Sequence, residues 1–389
     1  MVRWWWFGPA VVKPEITREL RRMKADGIGG AGLAFVYPEV LDDSANGLKN
    51  LAWLSPEMLD AVRFAQEEGR RLGLRIDVTL CSGWPYGGPH VAPKEAARHL
   101  RLMAIPVPPG TTSLSVPKLK DAEQVIASFV AEGDEMKWDA NSAILLSATR
   151  ATDDPQTLQF LPSSSPRVAL LFIDGYTGQE VKRAAVGGDG PVLDPFKRKA
   201  VATHLAKVGE PLLSAFGATP PYAIFSDSLE AYGADWTPDL PSEFLKRRGY
   251  DLTPHLPELC TGGTSEAEKV SHDWGVTLTE LINQNYLTQI NRWAEAHHTR
   301  FRSQTYGEPA VSLSSQRLVD LAEGEGAQWR AFSTLRWAVS ANHLNDRTIT
   351  SGESFTWLHS PIFRATPLDM KAEADIDFLT GENLLVFHG

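Results

Sequence analysis

Carboxylic acids stand at the ends of several short apolar runs in this sequence. Asp227 lies near the end of the run YAIFSDS, and Glu230 follows this run. Glu353 lies within the run TITSGESF. Glu323 and Glu325 stand in and directly after the run LVDLAEG. Two carboxyl groups on either side of a bond can serve as general acid and general base. Crowding of like charges raises the pKa of at least one such group, so that it keeps its proton near neutrality.

Aromatic and polar side chains lie at the same kind of junction. The chain has 12 Trp, many of them beside Gly, Pro or acidic residues. Large aromatic residues often fill cores, but flat apolar rings at loop junctions also suit the faces of sugar rings. We expect substrate contacts from Trp84, Tyr86, Tyr232, Trp236, Gln304, Tyr306 and His388. Carboxylates and aromatic platforms, with almost no basic residues at the strand ends, together indicate glycoside hydrolysis.

Each of these acids also has a simpler explanation. A single Asp or Glu near a strand end is more often a helix cap or an ion-pair partner than a catalyst. Asp227 could cap the following segment, and Glu323 and Glu325 could form a solvated turn. His388 could be an ordinary interior histidine. Acids at four of the eight predicted strand ends favour a shared site over these separate explanations.

Eight short β-rich runs alternate with helical patterns along most of the chain. They are residues 2–8, 31–38, 74–83, 222–228, 301–307, 318–324, 348–355 and 383–389. Strands that alternate with amphipathic helices indicate a parallel sheet, and eight of them close a (β/α)8 TIM barrel, an α/β fold. Catalytic groups in such barrels lie at the C-terminal ends of the strands, which is where these acids are placed.

The helices between these runs carry clear start and stop signals. Pro14 opens a helix that ends at Gly27, and Ser55 caps a helix that ends at Gly73. A longer helical pattern covers residues 265–298, and we interpret it as two helices.

Residues 101–190 interrupt the alternation. Short β-like runs separated by Pro, Gly, Ser and Asp predict a small β-rich insertion after strand 3. Barrel strands 1 to 3 then occupy residues 1–100 and strands 4 to 8 occupy residues 191–389, within one catalytic domain.

Composition excludes several classes of partner. The net charge of -10, with no concentrated Lys and Arg, argues against nucleic acid binding. No apolar run reaches the roughly 20 residues of a membrane span, so we expect no membrane partner. The N-terminus carries no signal peptide pattern, which leaves the location open, with a periplasmic or secreted site expected if a targeting segment is missing. Cys81 and Cys260 form no metal-binding motif.

Several long segments carry a family pattern. They are RWWWFGPAVVKPEITRELRRMKADGIGG, CSGWPYGGPHV, TGQEVKRAAVGGDGPVLDPF, FSDSLEAYGADWTPDLPSEFLKRRGYD, and SGESFTW followed by TPLDMKAEADIDFLTGENLLVFHG. In this order, over nearly the whole chain, they resemble the catalytic module of the glycoside hydrolase family 106 α-L-rhamnosidases. The resemblance implies a (β/α)8 barrel that cleaves terminal α-L-rhamnosides with inversion, assisted by a bound calcium ion.

The resemblance also assigns roles to individual positions. Glu230 matches the general acid and Asp227 a neighbour that tunes or orients it, whereas Glu353 matches the carboxylate that activates water. Glu323 and Glu325 match an acidic segment near the family's calcium, and the choice between them stays open. Family members are longer and carry β-rich accessory domains, so we expect this chain to be the barrel without them.

Two other functions are compatible with parts of the pattern. A carbohydrate-binding barrel without turnover would keep the platforms and the metal, but the presence of both Glu230 and Glu353 favours an enzyme. A metal-dependent hydrolase with a histidine-rich barrel is disfavoured, because only His388 of the ten histidines falls at a predicted strand end.

Overall fold

A computed structural model describes residues 1–147, 157–357 and 364–388 of the chain. Eight parallel strands close into a barrel. In chain order they are Val2–Phe7, Gly30–Val36, Arg75–Ser82, Ala223–Ser226, Arg300–Ser303, Leu321–Glu325, Ser351–Ser354 and Leu384–Phe387, numbered here as barrel strands 1 to 8. Each overlaps one predicted run, so the eight predicted strands are confirmed. Gly389, the last residue of the final run, lies outside the described residues.

The barrel strands are arranged in chain order, and strand 8 closes the barrel against strand 1. The register places Glu325 of strand 6 directly opposite Glu353 of strand 7. Strand 4 meets strand 5 with Ser226 opposite Ser303. Residues that leave the C-terminal ends of strands 4 to 7 are thereby brought to one end of a mixed α/β barrel.

Strand 1 shows how the alternation of side chains divides the barrel wall. Trp4 and Trp6 are buried on the outer face, where their rings meet edge to face with 5.4 Å between centroids. The indole N–H of Trp4 donates to Glu19 of helix Lys13–Ala25 at 2.7 Å. Arg3 and Trp5 therefore project to the opposite face, into the barrel.

Helices connect the barrel strands. Helix Lys13–Ala25 has Pro14 in its first turn, and helix Pro56–Leu72 begins at Ser55, whose hydroxyl accepts from the Met58 N–H at 3.2 Å. Gly73 ends the second helix in the left-handed region, with φ 70°. The other helices of the barrel unit are Arg198–His204 and Glu210–Phe216, joined by the π-helical turn Leu205–Gly209, then Thr288–Ala296, Ala327–Leu344 and Pro367–Thr380. Short 3-10 turns lie at Pro93–Glu95 and Leu313–Leu318.

The pattern at residues 265–298 is one helical run with a change of pitch. Helix Ser265–Ile282 continues through the π-helical turn Asn283–Leu287 into helix Thr288–Ala296. The predicted division into two helices therefore takes the form of a π-helical turn and not of a loop.

The chain divides into two compact units. The first comprises residues 1–95, 179–231 and 282–389 and contains the barrel, and the second comprises residues 96–178 and 232–281. Within the described residues, no helix is long and apolar enough to cross a lipid bilayer.

The second unit is built around antiparallel strands. Its four-stranded sheet has the order Arg98–Val107, Arg167–Tyr176, Gln124–Glu132 and Ile144–Ser147, and Ser113–Ser115 pairs with Thr157–Gln159. Apolar side chains from these strands pack together, and buried Arg98 forms an ion pair with Asp174. Helices Leu240–Arg248, Leu256–Thr261 and most of Ser265–Ile282 belong to the same unit, as do the 3-10 turns Ala140–Ser142 and Thr253–His255. The predicted insertion limits and domain boundaries stay predictions, and residues 148–156 lie outside the described part.

A buried carboxyl group lies on the outer side of barrel strand 7. Glu382 is 1% exposed, and neither of its carboxyl oxygens has a hydrogen-bond partner among the described residues. It lies against Gly352, where an added Cβ would come within 1.8 Å of Oε2. Burial raises the pKa of Glu382 to about 10, and Asp377, Glu323 and Glu373 act in the same direction. Glu382 is therefore protonated at neutral pH.

Replacement of Glu382 by Gln is expected to stabilise the folded chain relative to wild type, and this difference should grow as the pH rises. The folded protein keeps the Glu382 proton to a higher pH than the unfolded chain. The contribution of this proton to the stability of the wild type is therefore complete below about pH 4 and is lost as the pH rises towards about 10. Glu382→Gln has no such proton to lose. Its melting temperature relative to wild type should increase between about pH 5 and pH 8, by roughly 2–4 °C per kcal/mol gained. A difference that stays constant across this range would contradict the protonated state.

Candidate active site

Glu353 contacts several donor side chains at the C-terminal end of the barrel. It ends the inward face of strand 7 and is 5% exposed. The Gln304 amide donates to Oε2 at 2.8 Å, and the Thr356 hydroxyl donates to Oε1 at 2.8 Å. His388 Nε2 lies 3.8 Å from Oε1, and the Arg3 guanidinium donates to Oε2. Every partner donates to Glu353 or can carry positive charge, so the site favours a charged carboxylate.

Arg3 links Glu353 to a second acid. Its Nη1 lies 3.8 Å from Asp227 Oδ2, and its Nη2 lies 3.6 Å from Glu323 Oε1. The guanidinium carbon lies 4.2 Å from the centroid of the Phe225 ring. One buried cation from strand 1 thereby fixes carboxylates from strands 4, 6 and 7.

A second arginine lies deeper in the barrel. Arg302 of strand 5 pairs with Asp77 at 3.2 Å and donates to Glu323. Its guanidinium carbon lies 4.4 Å from the centroid of the Phe225 ring, which both arginines therefore contact. Asp77 also accepts from the Ala223 N–H at 3.1 Å. Arg302 thereby neutralises the charge of Glu323 and links strand 5 to strands 3 and 6 inside the barrel.

The two acids joined by Arg3 have pKa values shifted in opposite directions. Burial of most of its surface raises the pKa of Asp227, and the negative charges of Glu353 and Glu230 act in the same direction against Arg3. Burial alone would also raise the pKa of Glu353, but Arg3, His388 and hydrogen bonds hold it below its usual range. The pair therefore favours an ionised Glu353 beside an Asp227 that is partly protonated near neutral pH, a separation typical of acid and base partners.

Glu230 lies three residues beyond Asp227, at the rim. The Ser228 hydroxyl donates to Glu230 Oε1 at 2.9 Å, and the Lys182 ammonium pairs with Oε2. The Leu229–Glu230 backbone pairs in parallel with Gly307–Glu308, so the segments after strands 4 and 5 are held together. Glu230 is consequently fixed in position, with 13% of its side chain exposed to a potential ligand.

An aromatic group lies beside Glu353. The Trp5 indole N–H donates to the His388 carbonyl at 2.6 Å, and the two rings are 5.2 Å apart between centroids. Trp84 lies 6.4 Å from Trp5, and the Arg183 guanidinium carbon lies 5.6 Å from the Trp84 ring centroid. Trp5, Trp84 and His388 are all partly exposed, so they can contact a ligand near Glu353.

The other predicted substrate contacts fall into different environments. Gln304 is buried and donates a hydrogen bond to Glu353, whereas the hydroxyl of buried Tyr306 donates to Glu325 at 3.0 Å. Buried Tyr86 donates to the Phe225 carbonyl at 2.7 Å. Tyr232 and Trp236 belong to the second unit, where Tyr232 is 44% exposed and Trp236 is 1% exposed. In this conformation the faces of Tyr86 and Trp236 are covered by protein and are not open platforms.

Glu323 and Glu325 do not form a cation site. Glu323 is fully buried and directed at Arg302 and Arg3, and Glu325 accepts from the Tyr306 hydroxyl. Among the described side chains, no three or more His, Cys, Asp or Glu residues are grouped so that they could hold a metal ion. These two glutamates therefore do not fit calcium, and the calcium implied by the resemblance stays a prediction.

The expectation of a site with almost no basic residues is wrong. Arg3 and Arg302 project into the barrel, and Lys182 contacts Glu230 at the rim. The inward directions of Arg3 and Arg302 follow from side-chain alternation, because they share the parity of Trp5 and Gln304 along their strands. The ion-pair partners of both arginines, and the contact of Lys182 with Glu230, depend on which strands and loops become neighbours in the fold.

A closed parallel barrel with carboxylates at its C-terminal end is an arrangement that many glycoside hydrolases use. The sequence model of the α-L-rhamnosidases of glycoside hydrolase family 106 matches residues 1–141 and 170–389, and the chain belongs to this family. The family resemblance read from the sequence is thereby confirmed.

Two longer proteins are similar to this chain. A Formosa agariphila protein, whose name gives it provisionally as a β-glucuronidase, is 24% identical over 431 residues, covering 99% of this chain and 36% of that protein. The structure of a rhamnosidase from Novosphingobium sp. PP1Y aligns over the whole chain with a TM-score of 0.76 and 18% identity. The present chain spans 54% of that rhamnosidase, and this likeness supports the fold.

Proposed function

We propose that this chain is the catalytic barrel of an inverting α-L-rhamnosidase that cleaves terminal α-L-rhamnosides. The observation that carries the proposal is the Arg3 bridge between Glu353 and Asp227, in a barrel that belongs to family 106. Arg3 keeps Glu353 ionised, as a general base must be, and burial raises the pKa of Asp227 beside Glu230.

In this mechanism Glu353 is the general base. Its charge is held by Arg3 and by the Gln304 and Thr356 donors, so it can accept a proton from water as that water attacks the anomeric carbon. Inversion requires room for this water, which corresponds to a separation of roughly 6.5–9.5 Å between the acid and base carboxyl groups.

Glu230 is the general acid that protonates the departing oxygen, and Asp227 tunes it. Glu230 lies at the rim on a segment fixed by its pairing with residues 307–308. Substrate entry exchanges the Lys182 contact of Glu230 for the glycosidic oxygen. Removal of this cation favours proton uptake by the carboxyl group.

A second assignment of the acid follows from the raised pKa of Asp227. The raised pKa of Asp227 lets it carry a proton near neutral pH without any rearrangement, whereas Glu230 is paired with Lys182 in the free protein. The two assignments predict different dependence on the leaving group, and replacement of each residue separates them.

The substrate class is tested with a panel of aryl glycosides. We expect turnover of an aryl α-L-rhamnoside and none of an aryl β-D-glucuronide, because Arg3, Arg302 and Lys182 are already paired with glutamates of the chain and not with a sugar carboxylate. Release of the aryl group is followed by absorbance, with Glu353→Gln protein as the blank. Turnover of the glucuronide alone, or of neither glycoside, would contradict the proposal.

A further inference from the structure

A cavity of about 320 Å³ opens beside the candidate site. Its walls come from the segment after strand 5 and from helix Ala327–Leu344. Tyr306 and Gly307 form the part nearest the catalytic acids, and Val311, Leu313 and Trp337 supply apolar surface. This volume lies at the lower end of the roughly 300–1,000 Å³ typical of small-molecule sites.

The cavity is directly continuous with the segment that bears Glu230. The Leu229 N–H donates to the Tyr306 carbonyl at 2.8 Å, and Leu229 lies opposite Gly307 in the short parallel pairing. Tyr306 also donates its hydroxyl to Glu325, which lies opposite Glu353. One wall of the cavity is therefore built from residues that contact both acidic strand ends.

A buried acceptor in the cavity wall has no partner. Gln316 is 1% exposed, and its amide nitrogen donates to the Thr305 carbonyl at 2.8 Å. Its Oε1 has no hydrogen-bond partner among the described residues, although both Gln316 and Thr305 line the cavity. An unsatisfied buried acceptor costs free energy, and a ligand hydroxyl that reaches Oε1 from the cavity by a shift of the Gln316 side chain would recover it.

The remaining wall favours a neutral ring. No charged side chain lines the cavity among the described residues. The Trp337 side chain is 41% exposed, and its ring lies 6.1 Å from that of Tyr306 between centroids. The exposed part of this indole can contact an aromatic ring or the apolar face of a sugar ring.

We propose that this cavity is the leaving-group subsite, which binds a neutral ring that carries a hydroxyl group. The proposal rests on the proposed function, since the acid Glu230 has to meet the bond between rhamnose and this ring. Trp337 packs against the ring, and Gln316 Oε1 accepts from its hydroxyl. A phenol and a sugar residue share this chemistry.

The test compares substrates that fill the cavity with one that does not. α-L-Rhamnosyl fluoride has a leaving group without a ring, whereas phenyl and hydroxyphenyl α-L-rhamnosides and a rhamnosyl disaccharide place a ring there. Trp337→Ala should raise KM for the ring substrates by about tenfold while kcat/KM for the fluoride stays within about twofold. Leu344→Ala, on the same helix and 75% exposed outside the cavity, should change neither.

Gln316 is tested through the hydroxyl. Wild type should prefer the best hydroxyphenyl rhamnoside over the phenyl compound by about fivefold in KM, and Gln316→Met should abolish this preference. Because the preference is a ratio within one protein, a change in stability does not produce it. A penalty for Trp337→Ala on the disaccharide alone would identify a sugar as the ring, and a penalty on the phenols alone would identify a phenol.

Two results would overturn the assignment, and they are distinguishable. If wild type cleaves the fluoride and the aryl glycosides but Trp337→Ala affects both or neither, the subsite is wrong and the proposed function stands. If wild type cleaves none of these rhamnosides, the proposed function and the subsite fall together.

Discussion

Replacement of Glu353 by Gln is expected to lower kcat/KM for α-L-rhamnosides by roughly three orders of magnitude. The amide cannot take the proton of the attacking water. The loss should be the same for good and poor leaving groups, because in a single displacement water attacks in the same step in which either group departs. The measurement is the rate of hydrolysis of a nitrophenyl and an unsubstituted phenyl rhamnoside by the purified variant.

The control for this variant is Glu382→Gln, which makes the same substitution at another buried glutamate outside the site. It is expected to keep wild-type activity. Glu353→Gln leaves Arg3 with Asp227 and Glu323 as its remaining ion-pair partners, so its folding is checked by circular dichroism. A folded Glu353→Gln protein that retains activity on either substrate would remove Glu353 from the mechanism.

Replacement of Glu230 by Gln is expected to separate leaving groups. On a phenyl rhamnoside, whose oxygen needs a proton to depart, kcat should decrease by roughly 10³-fold. On a dinitrophenyl rhamnoside, whose oxygen leaves unprotonated, the decrease should stay within about tenfold. The ratio of the two rates, and not either rate alone, measures the role of Glu230.

Asp227→Asn is the matched variant for this experiment. If Asp227 tunes the site, its replacement should slow both substrates by similar factors, since it alters the charge around Arg3 and Glu353 without removing the acid. Should Asp227→Asn separate the leaving groups while Glu230→Gln does not, the acid is Asp227.

The barrel could be predicted because its signals are local. Each strand is a short β-rich run, and the adjacent helices carry caps such as Ser55 and stop signals such as Gly73. Eight repeats of this pattern imply closure, and closure implies that Glu230 and Glu353 share one end of the barrel. Positions that follow from strand order alone were therefore within reach of sequence reasoning.

The charge balance of the site could not be predicted in the same way. Arg302 neutralises Glu323 across two neighbouring strands, and Lys182 reaches Glu230 from a segment 48 residues earlier in the chain. Neither pairing follows a periodicity. The sequence therefore left both Glu323 and Glu325 as candidate metal ligands, whereas the structure pairs the Glu323 side chain with Arg3 and Arg302.

The predicted aromatic contacts differ in their exposure to solvent, and this exposure cannot be read from the neighbouring sequence. Trp84 and Tyr86 are two positions apart, yet Trp84 stays partly exposed while Tyr86 is stacked on His204 with 4.6 Å between centroids. Trp5 is a possible contact that its sequence context does not indicate, because three consecutive tryptophans are typical of core packing. Side-chain alternation along strand 1 directs Trp5 into the barrel together with Arg3, whereas Trp4 and Trp6 face outward.

The most direct test of the account is the anomer of rhamnose released first from an aryl α-L-rhamnoside, observed by proton NMR before mutarotation. The proposed pairing of Glu353 with an acid across the bond predicts that β-L-rhamnose appears first and the α anomer follows. Initial release of α-L-rhamnose would contradict the proposed inversion and require Glu353 to act in another role.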